Sequence, residues 1–215
     1  MKKAVIAALI LCLGGLAFAA AARYHMDDSV ATALKERPAG SLAPSFTLTD
    51  THGRQHNLAD YKGKYVVLEW VNLGCPYVKE HYASGNMQAT QKKAVEKGVV
   101  WLSICSSGKW KQGHLSAAGW NEEIAARKIA STAVLIDENG EAGRAYGART
   151  TPHMYIIDPD GYLIYQGAID DHPTARKKGV TGARNHVLAA LDEALNGKPV
   201  TIARSQPYGC SVKYR

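Results

Sequence analysis

Four of the 215 residues are cysteines: Cys12, Cys75, Cys105 and Cys210. Cys75 is set apart by its neighbours. The apolar run Tyr65 to Val71 (YVVLEWV) reads as a strand buried on both faces, and it breaks at Asn72-Leu73-Gly74-Cys75-Pro76. Proline suits the first turn of a helix, so a helix is expected from Pro76 to Lys97. Cys75 then sits where a strand's carboxyl end meets a helix's amino end. Free backbone N–H groups and the helix dipole favour negative charge there. A cysteine so placed ionises more readily, and its thiolate is a nucleophile. The competing reading is a buried cysteine acting as a small hydrophobe; Gly74 and Pro76, which shape a tight turn, speak against it.

The compartment decides how the other thiols are read. Lys2 and Lys3 precede an apolar run from Ala4 to Ala22 containing Ala17-Phe18-Ala19. A short basic region, an apolar stretch and a small-x-small site make a secretory signal, with cleavage expected after Ala19. An uncleaved anchor is the alternative, but the run is rich in Ala and Gly. Leu11 before Cys12 excludes lipidation, which needs a small residue there. The mature chain is therefore expected to be secreted or periplasmic, with no stable membrane insertion. Cys12 leaves with the leader, and three cysteines remain where disulfides persist. An odd number means one pair plus a free thiol, or exchange among the three.

The elements that must hold Cys75 follow from hydrophobic periodicity. Residues 1–19 are the leader and 20–41 a linker or short helix. A single domain is expected over 42–197, with a tail from 198 to 215 carrying Cys210. Phe46 to Thr49 and Gln55 to Leu58 read as paired strands around the turn Asp50-Thr51-His52-Gly53. Val99 to Ile104 is a second buried strand, followed by a loop from Ser106 to Gly119. Asn121 to Ile129 fits a helix with an Asn cap. Ala133 to Ile136 is a short strand before the turn Asp137 to Gly140. Met154 to Ile157 and Leu163 to Tyr165 form a hairpin about Asp158-Pro159-Asp160-Gly161. A last helix spans Ala183 to Leu195, with Val187, Leu188, Leu191 and Leu195 as its apolar stripe. Alternating strands and helices with buried strands define an α/β fold with helices on both faces of an open sheet. Function in such sheets lies at the strands' carboxyl ends, where Cys75 falls.

Several segments together resemble the redoxin (AhpC/TSA-type) branch of the thioredoxin-like superfamily. They are Ala43-Pro44-Ser45-Phe46-Thr47-Leu48-Thr49-Asp50, Lys62-Gly63-Lys64, Thr151-Pro152 and Asp158-Pro159-Asp160-Gly161. The tail Tyr208-Gly209-Cys210-Ser211-Val212-Lys213 resembles the C-terminal cysteine motif of a peroxiredoxin-like subfamily. The resemblance runs from about residue 42 to 213. It implies a thioredoxin-like fold: a central mixed sheet flanked by helices, with an N-terminal β-hairpin extension. It implies thiol–disulfide or thiol–peroxide exchange on a disulfide or hydroperoxide substrate, with an external thiol reductant. It places Pro152 as a cis-proline against Cys75, Thr151 as a backbone partner of the substrate and Pro76 beside the nucleophile. Three positions depart from the family. Val78 replaces the second cysteine of Cys-x-x-Cys. Asn72 replaces the peroxiredoxin threonine. Pro152 stands where peroxiredoxins carry arginine, with Arg149 at another offset.

A lone reactive cysteine needs a partner. Cys210 is one, as a resolving thiol; a static disulfide pinning the tail is the competing reading, worth about 4–5 kcal/mol in the chain-entropy model. Cys105, ending a neighbouring strand, is the other. Two further classes compete with a redox enzyme. A copper-handling protein would use Cys75 with His81 or His153; His52 and His56 flank a turn. A non-catalytic binding module would use Tyr77, Tyr82, Trp110 and Trp120 as a peptide groove. Asp170, Asp171 and His172 read as a solvated loop. The formal charge of +7, with no basic block interleaved with aromatics, argues against nucleic acid. No P-loop, dinucleotide fingerprint or zinc spacing occurs, so neither cofactor nor metal is expected.

Overall fold

In a computed structural model, which describes residues 39–175 and 182–215, the apolar run before Cys75 lies deep within a seven-stranded sheet. The elements are β1 (Thr47–Asp50), β2 (Gln55–Asn57), a 3-10 turn (Leu58–Tyr61), β3 (Val66–Trp70), α1 (Pro76–Ala83), α2 (Asn86–Glu96) and β4 (Val100–Cys105). They continue with α3 (Ala117–Arg127), β5 (Ala133–Ile136), α4 (Glu141–Tyr146), β6 (Thr150–Thr151), β7 (His153–Ile157), β8 (Leu163–Gly167), α5 (His186–Leu195) and β9 (Cys210–Ser211). The strand order is β2-β1-β5-β4-β3-β7-β8, and β6 and β9 form a separate two-stranded ribbon. Strands β3, β4 and β5 are parallel, while β7 runs antiparallel to β3. The expected leader, Cys12 and most of 20–41 lie outside the described residues.

Alternation along β3 explains its near-continuous apolarity. Val66, Leu68 and Trp70 pack on one face with Phe46, Tyr146 and Tyr155. Val67 packs on the other with Val78, Met87, Trp120 and Val187. α1, α2, α3 and α5 cover the second face, and α4 with the 3-10 turn covers the first. Each such side chain taken fully out of water contributes roughly 1.5–3 kcal/mol.

The expected N-terminal β1–β2 hairpin is present and extends the main sheet at one edge, because β1 pairs with β5. The structure corrects several other expected elements. The single helix expected over 76–97 is two. Gly85 lies at φ +78 between them, and the Ser84 hydroxyl bonds back to the Glu80 carbonyl at 2.7 Å, ending α1. α3 begins earlier than expected, because Ser116 caps it by accepting from Gly119 N–H at 3.1 Å. Asn121, the expected cap, lies inside the helix and donates to the Thr51 carbonyl. α4 was not expected; the Asp137 carboxylate accepts from Ala142 and Gly143 N–H and so builds its amino end. α5 starts at His186 with Asn185 as cap. Its buried stripe is Val187, Ala190, Leu191 and Ala194, leaving Leu195 exposed. Small alanines let this helix lie close to its neighbours.

The tail is mostly irregular but does not trail away. Beyond β9, Gly108 N–H donates to the Lys213 carbonyl at 2.8 Å, and the Tyr214 hydroxyl donates to the Ala148 carbonyl at 2.6 Å. Arg144 stacks on the Tyr214 ring at 4.8 Å.

Candidate active site

The turn after β3 is a small hydrogen-bonded unit. The Asn72 side chain accepts from Gly74 N–H at 2.8 Å and donates to the Gln112 carbonyl at 3.0 Å. Cys75 N–H donates to the Asn72 carbonyl at 2.9 Å. Cys75 is thereby held as the residue capping α1, with Pro76 in the first turn. Asn72, expected from its place three residues before Cys75 to orient or polarise near the thiolate, braces the turn that carries Cys75 through its bonds to Gly74 and Gln112. Gly113 accommodates this clamp, since a Cβ there would lie 2.0 Å from Asn72 Oδ1.

The Cys75 sulfur is fully buried and, as a thiol, donates to the Thr151 carbonyl at 3.1 Å. Thr151 ends β6, and the Thr151–Pro152 bond is cis. β9 pairs with β6 in antiparallel register, Cys210 opposite Thr151 and Ser211 opposite Thr150. This brings Cys210 to Cys75. Burial raises the Cys75 thiol. Hydrogen bonds from the Cys210 thiol, the N–H groups of Val78 and Cys210 and the Thr151 side chain outweigh it and hold the group below the ordinary thiol range. Cys210 moves the other way, pushed up to about 11 by burial and by its bond to, and the charge of, Cys75. One thiol of the pair therefore ionises first, and the other keeps its proton.

Tyr208 precedes Cys210 by two residues. Its ring packs against Tyr77 and His81, with centroids 5.8 and 6.2 Å away. Its hydroxyl donates to Asp170 Oδ1 at 2.5 Å and accepts from His81 Nε2 at 3.0 Å. Asn86 donates to His81 Nδ1 at 2.8 Å, which completes a consistent neutral tautomer. Burial lowers the His81 pKa, opposed by the charge of Asp170. Asp170 is therefore not in a solvated loop: it is buried, and its Oδ2 has no hydrogen-bond partner among the described residues. Asp171 and His172 do form an exposed pair, at 2.8 Å.

The remaining candidates separate from Cys75. Cys105 ends β4 in the same core, but its sulfur donates to the Gly113 carbonyl at 3.6 Å, and burial pushes its thiol up. Arg149 is exposed; its carbonyl accepts from Val212 N–H at 2.9 Å. His153 belongs to the opposite face of the sheet, beside Tyr155 at a 4.5 Å ring distance. Burial first, then the charges of Arg149 and Arg204, lower it to about 3. His56 is bonded to Asp50 and Tyr61. No group of three metal-ligating side chains converges among the described residues. Of the expected aromatic groove, Tyr77 packs against Tyr208 beside the site. Tyr82 and Trp120 are core residues, and Trp110 is exposed.

One buried group escaped notice in the sequence. Glu69, on β3, is wholly buried and accepts from Tyr82, Gln91, Trp101 and Ser103 at 2.8–3.0 Å. A carboxylate inside a run read as buried on both faces signals a need for such donors. Burial raises its pKa against those four bonds.

A mixed sheet with helices on both faces, carrying a cysteine at a strand–helix junction opposite a cis-proline, is a thioredoxin-like fold. Residues 39–166 match the AhpC/TSA family, and the chain belongs to it. It is 28% identical over 160 residues to the thiol-disulfide oxidoreductase ResA of Geobacillus thermodenitrificans, covering 71% of this chain and 79% of that one. ResA of Geobacillus kaustophilus is 29% identical over 168 residues, covering 75% and 82%. Among solved structures, a conserved protein of Geobacillus kaustophilus aligns with a TM-score of 0.72 at 29% identity, covering 83% of this chain and 93% of its own. A hypothetical protein of Sinorhizobium meliloti shares the fold, with a TM-score of 0.73 at 23% identity, covering 84% and 97%.

Proposed function

We propose that the chain is an exported thiol–disulfide oxidoreductase in which Cys75 is the attacking thiolate and Cys210 the resolving thiol. The observation that carries this is the register of β6 with β9, which delivers Cys210 to Cys75 beside the cis-proline. The ResA relatives support the reaction class. The basic and apolar residues 1–19, read as a leader cleaved after Ala19, support export, and no helix among the described residues is long and apolar enough to cross a membrane. The working unit is the domain over 42–197 together with the tail 198–215.

The chemistry runs in two displacements. Cys75 thiolate attacks one sulfur of a substrate disulfide; a mixed disulfide forms, and the other substrate sulfur leaves as a thiolate that takes up a proton. Cys210 then gives up its proton and attacks the Cys75 sulfur. This expels the remaining substrate thiolate and leaves a Cys75–Cys210 disulfide. Two electrons have passed from the pair to the substrate, and an external dithiol returns them.

Disulfides stand ahead of hydroperoxides as substrates. The ResA relatives are named for disulfide exchange, and Asn72 and Pro152 stand where peroxiredoxins carry threonine and arginine. The Gly209–Cys210 motif of a peroxiredoxin-like subfamily serves here as the resolving arm of disulfide exchange. Stopped-flow comparison of the reduced protein with glutathione disulfide and with hydrogen peroxide tests the order. Faster consumption of peroxide at equal concentration would reverse it.

A further inference from the structure

The tail enters the site as a strand, and its sequence is read residue by residue. Cys210 and Ser211 pair with Thr151 and Thr150, and Val212 N–H continues the pairing to the Arg149 carbonyl. Pairing along a sheet edge, with pockets for particular side chains, is how a fold recognises an extended peptide. Position 209 lies at φ +125, and a Cβ there would stand 2.0 Å from the Thr151 carbonyl oxygen, so the residue before the cysteine must be glycine. The residue before that places a phenol between Tyr77 and His81, with its hydroxyl on Asp170. Disulfide exchange at Cys75 requires neither the aromatic shelf nor the buried Asp170–His81 pair. Under this cover Cys75 has no exposed surface. A polypeptide substrate reaches it only by taking the tail's place.

We infer that the tail is a built-in copy of the substrate: the groove formed by α1, β6 and Asp170 binds an extended peptide of the pattern Tyr-Gly-Cys, and tail and substrate occupy it in turn. The inference rests on Cys75 being the attacking thiolate. With the tail out, the substrate strand pairs with β6 and presents its half-cystine. Cys75 thiolate attacks that sulfur, forming the mixed disulfide, and the substrate's other sulfur leaves as a thiolate. The returning tail brings Cys210, whose thiolate attacks the Cys75 sulfur and expels the substrate cysteine. Its strand then refills the groove, so resolution and product release are one exchange. An external dithiol reduces the Cys75–Cys210 bond and frees the tail for the next cycle.

The test uses the full chain carrying Cys210→Ser, which stops at the mixed disulfide. Its rate of reaction is measured by quenched mass spectrometry with peptides whose cysteine is disulfide-linked to glutathione. Three peptides share one flanking sequence and contain Tyr-Gly-Cys, Ala-Gly-Cys or Tyr-Ala-Cys; glutathione disulfide is the reference. The Tyr-Gly-Cys peptide should react about tenfold faster than either of the others, the factor that corresponds to about 1.4 kcal/mol. Equal rates for the three, with normal reaction of glutathione disulfide, overturn the inference and leave the oxidoreductase reading standing. No mixed disulfide on Cys75 with any reagent, the reference included, overturns that reading itself. A second variant, Tyr208→Ala added to Cys210→Ser, should speed iodoacetamide labelling of Cys75 several-fold by loosening the tail. Unchanged labelling would show that the tail does not guard the sulfur.

Discussion

Cys75 and Cys210 meet at one point but are mounted differently. Cys75 sits on a turn locked by the Asn72 clamp, between β3 in the core and α1. Cys210 sits on a two-residue strand in a ribbon outside the main sheet. The tail is held by polar contacts, by Tyr208, Cys210 and Val212 packed at the edges of the two core clusters, and by glycines that let it approach. Gly209 meets Thr151, Gly108 meets Arg215, and Gly143 meets Tyr214. The first mounting suits a nucleophile, whose pKa depends on fixed donors. The second suits a group that must arrive, react and withdraw. Chain ends and short edge strands open at lower free energy than the core. The difference in mounting supports the two proposed roles independently of the difference in acidity.

The contrast can be broken at either end. Cys75→Ser should abolish disulfide turnover, because no other thiol among the described residues is both activated and placed at the cis-proline; residual insulin or glutathione disulfide reduction would point to Cys105. Cys210→Ser should keep the first displacement but stall turnover, so that mixed disulfide accumulates to about one equivalent in non-reducing mass spectrometry. Reaction continuing at the wild-type rate would make the tail dispensable. Glu69→Gln leaves buried donors facing an amide and should cost about 1–3 kcal/mol in urea unfolding, while Gly209→Ala, which presses the tail off the Thr151 carbonyl, should cost less.

The pH dependence sharpens the same contrast. The rate of Cys75 alkylation should rise with pH and level off around a midpoint below the free-thiol value of about 8.5. Cys210→Ala removes a donor to the thiolate, so the midpoint should move up. A midpoint that stays put would mean the N–H groups of Val78 and Cys210 suffice. The sign extends to stability of the reduced protein. A Cys75 pKa lower in the folded than in the unfolded chain adds stability above the unfolded value, and this is lost as pH falls through the folded value.

What the sequence reveals here is local. The buried β3 run and the break at Asn72 to Pro76 follow from neighbouring residues and place Cys75 and the sheet, whereas the Thr151-Pro152 step is legible only through the family resemblance. The helix boundaries miss where one contact overrides periodicity, as Gly85 and Ser116 do. Side-chain pairings between distant segments leave little trace. Nothing near Asp170 announces that Tyr208 will bury it, and nothing near Gly209 announces the Thr151 carbonyl. His153 shows the reverse error: nearness in sequence to Pro152 suggests nearness to Cys75, but strand alternation turns it to the other face. Glu69 goes unnoticed, although a carboxylate inside YVVLEWV has to find donors and so carries a signal.

The most direct measurement is the disulfide connectivity of the mature protein as it is titrated with oxidised glutathione, mapped by non-reducing peptide mass spectrometry after rapid alkylation. A Cys75–Cys210 bond that forms with the titrant and is reversed by dithiothreitol, with Cys105 alkylated only on unfolding, is the expected result. A Cys75–Cys105 bond, or a Cys75 that neither pairs nor forms a mixed disulfide, would contradict the roles assigned to the core turn and the tail.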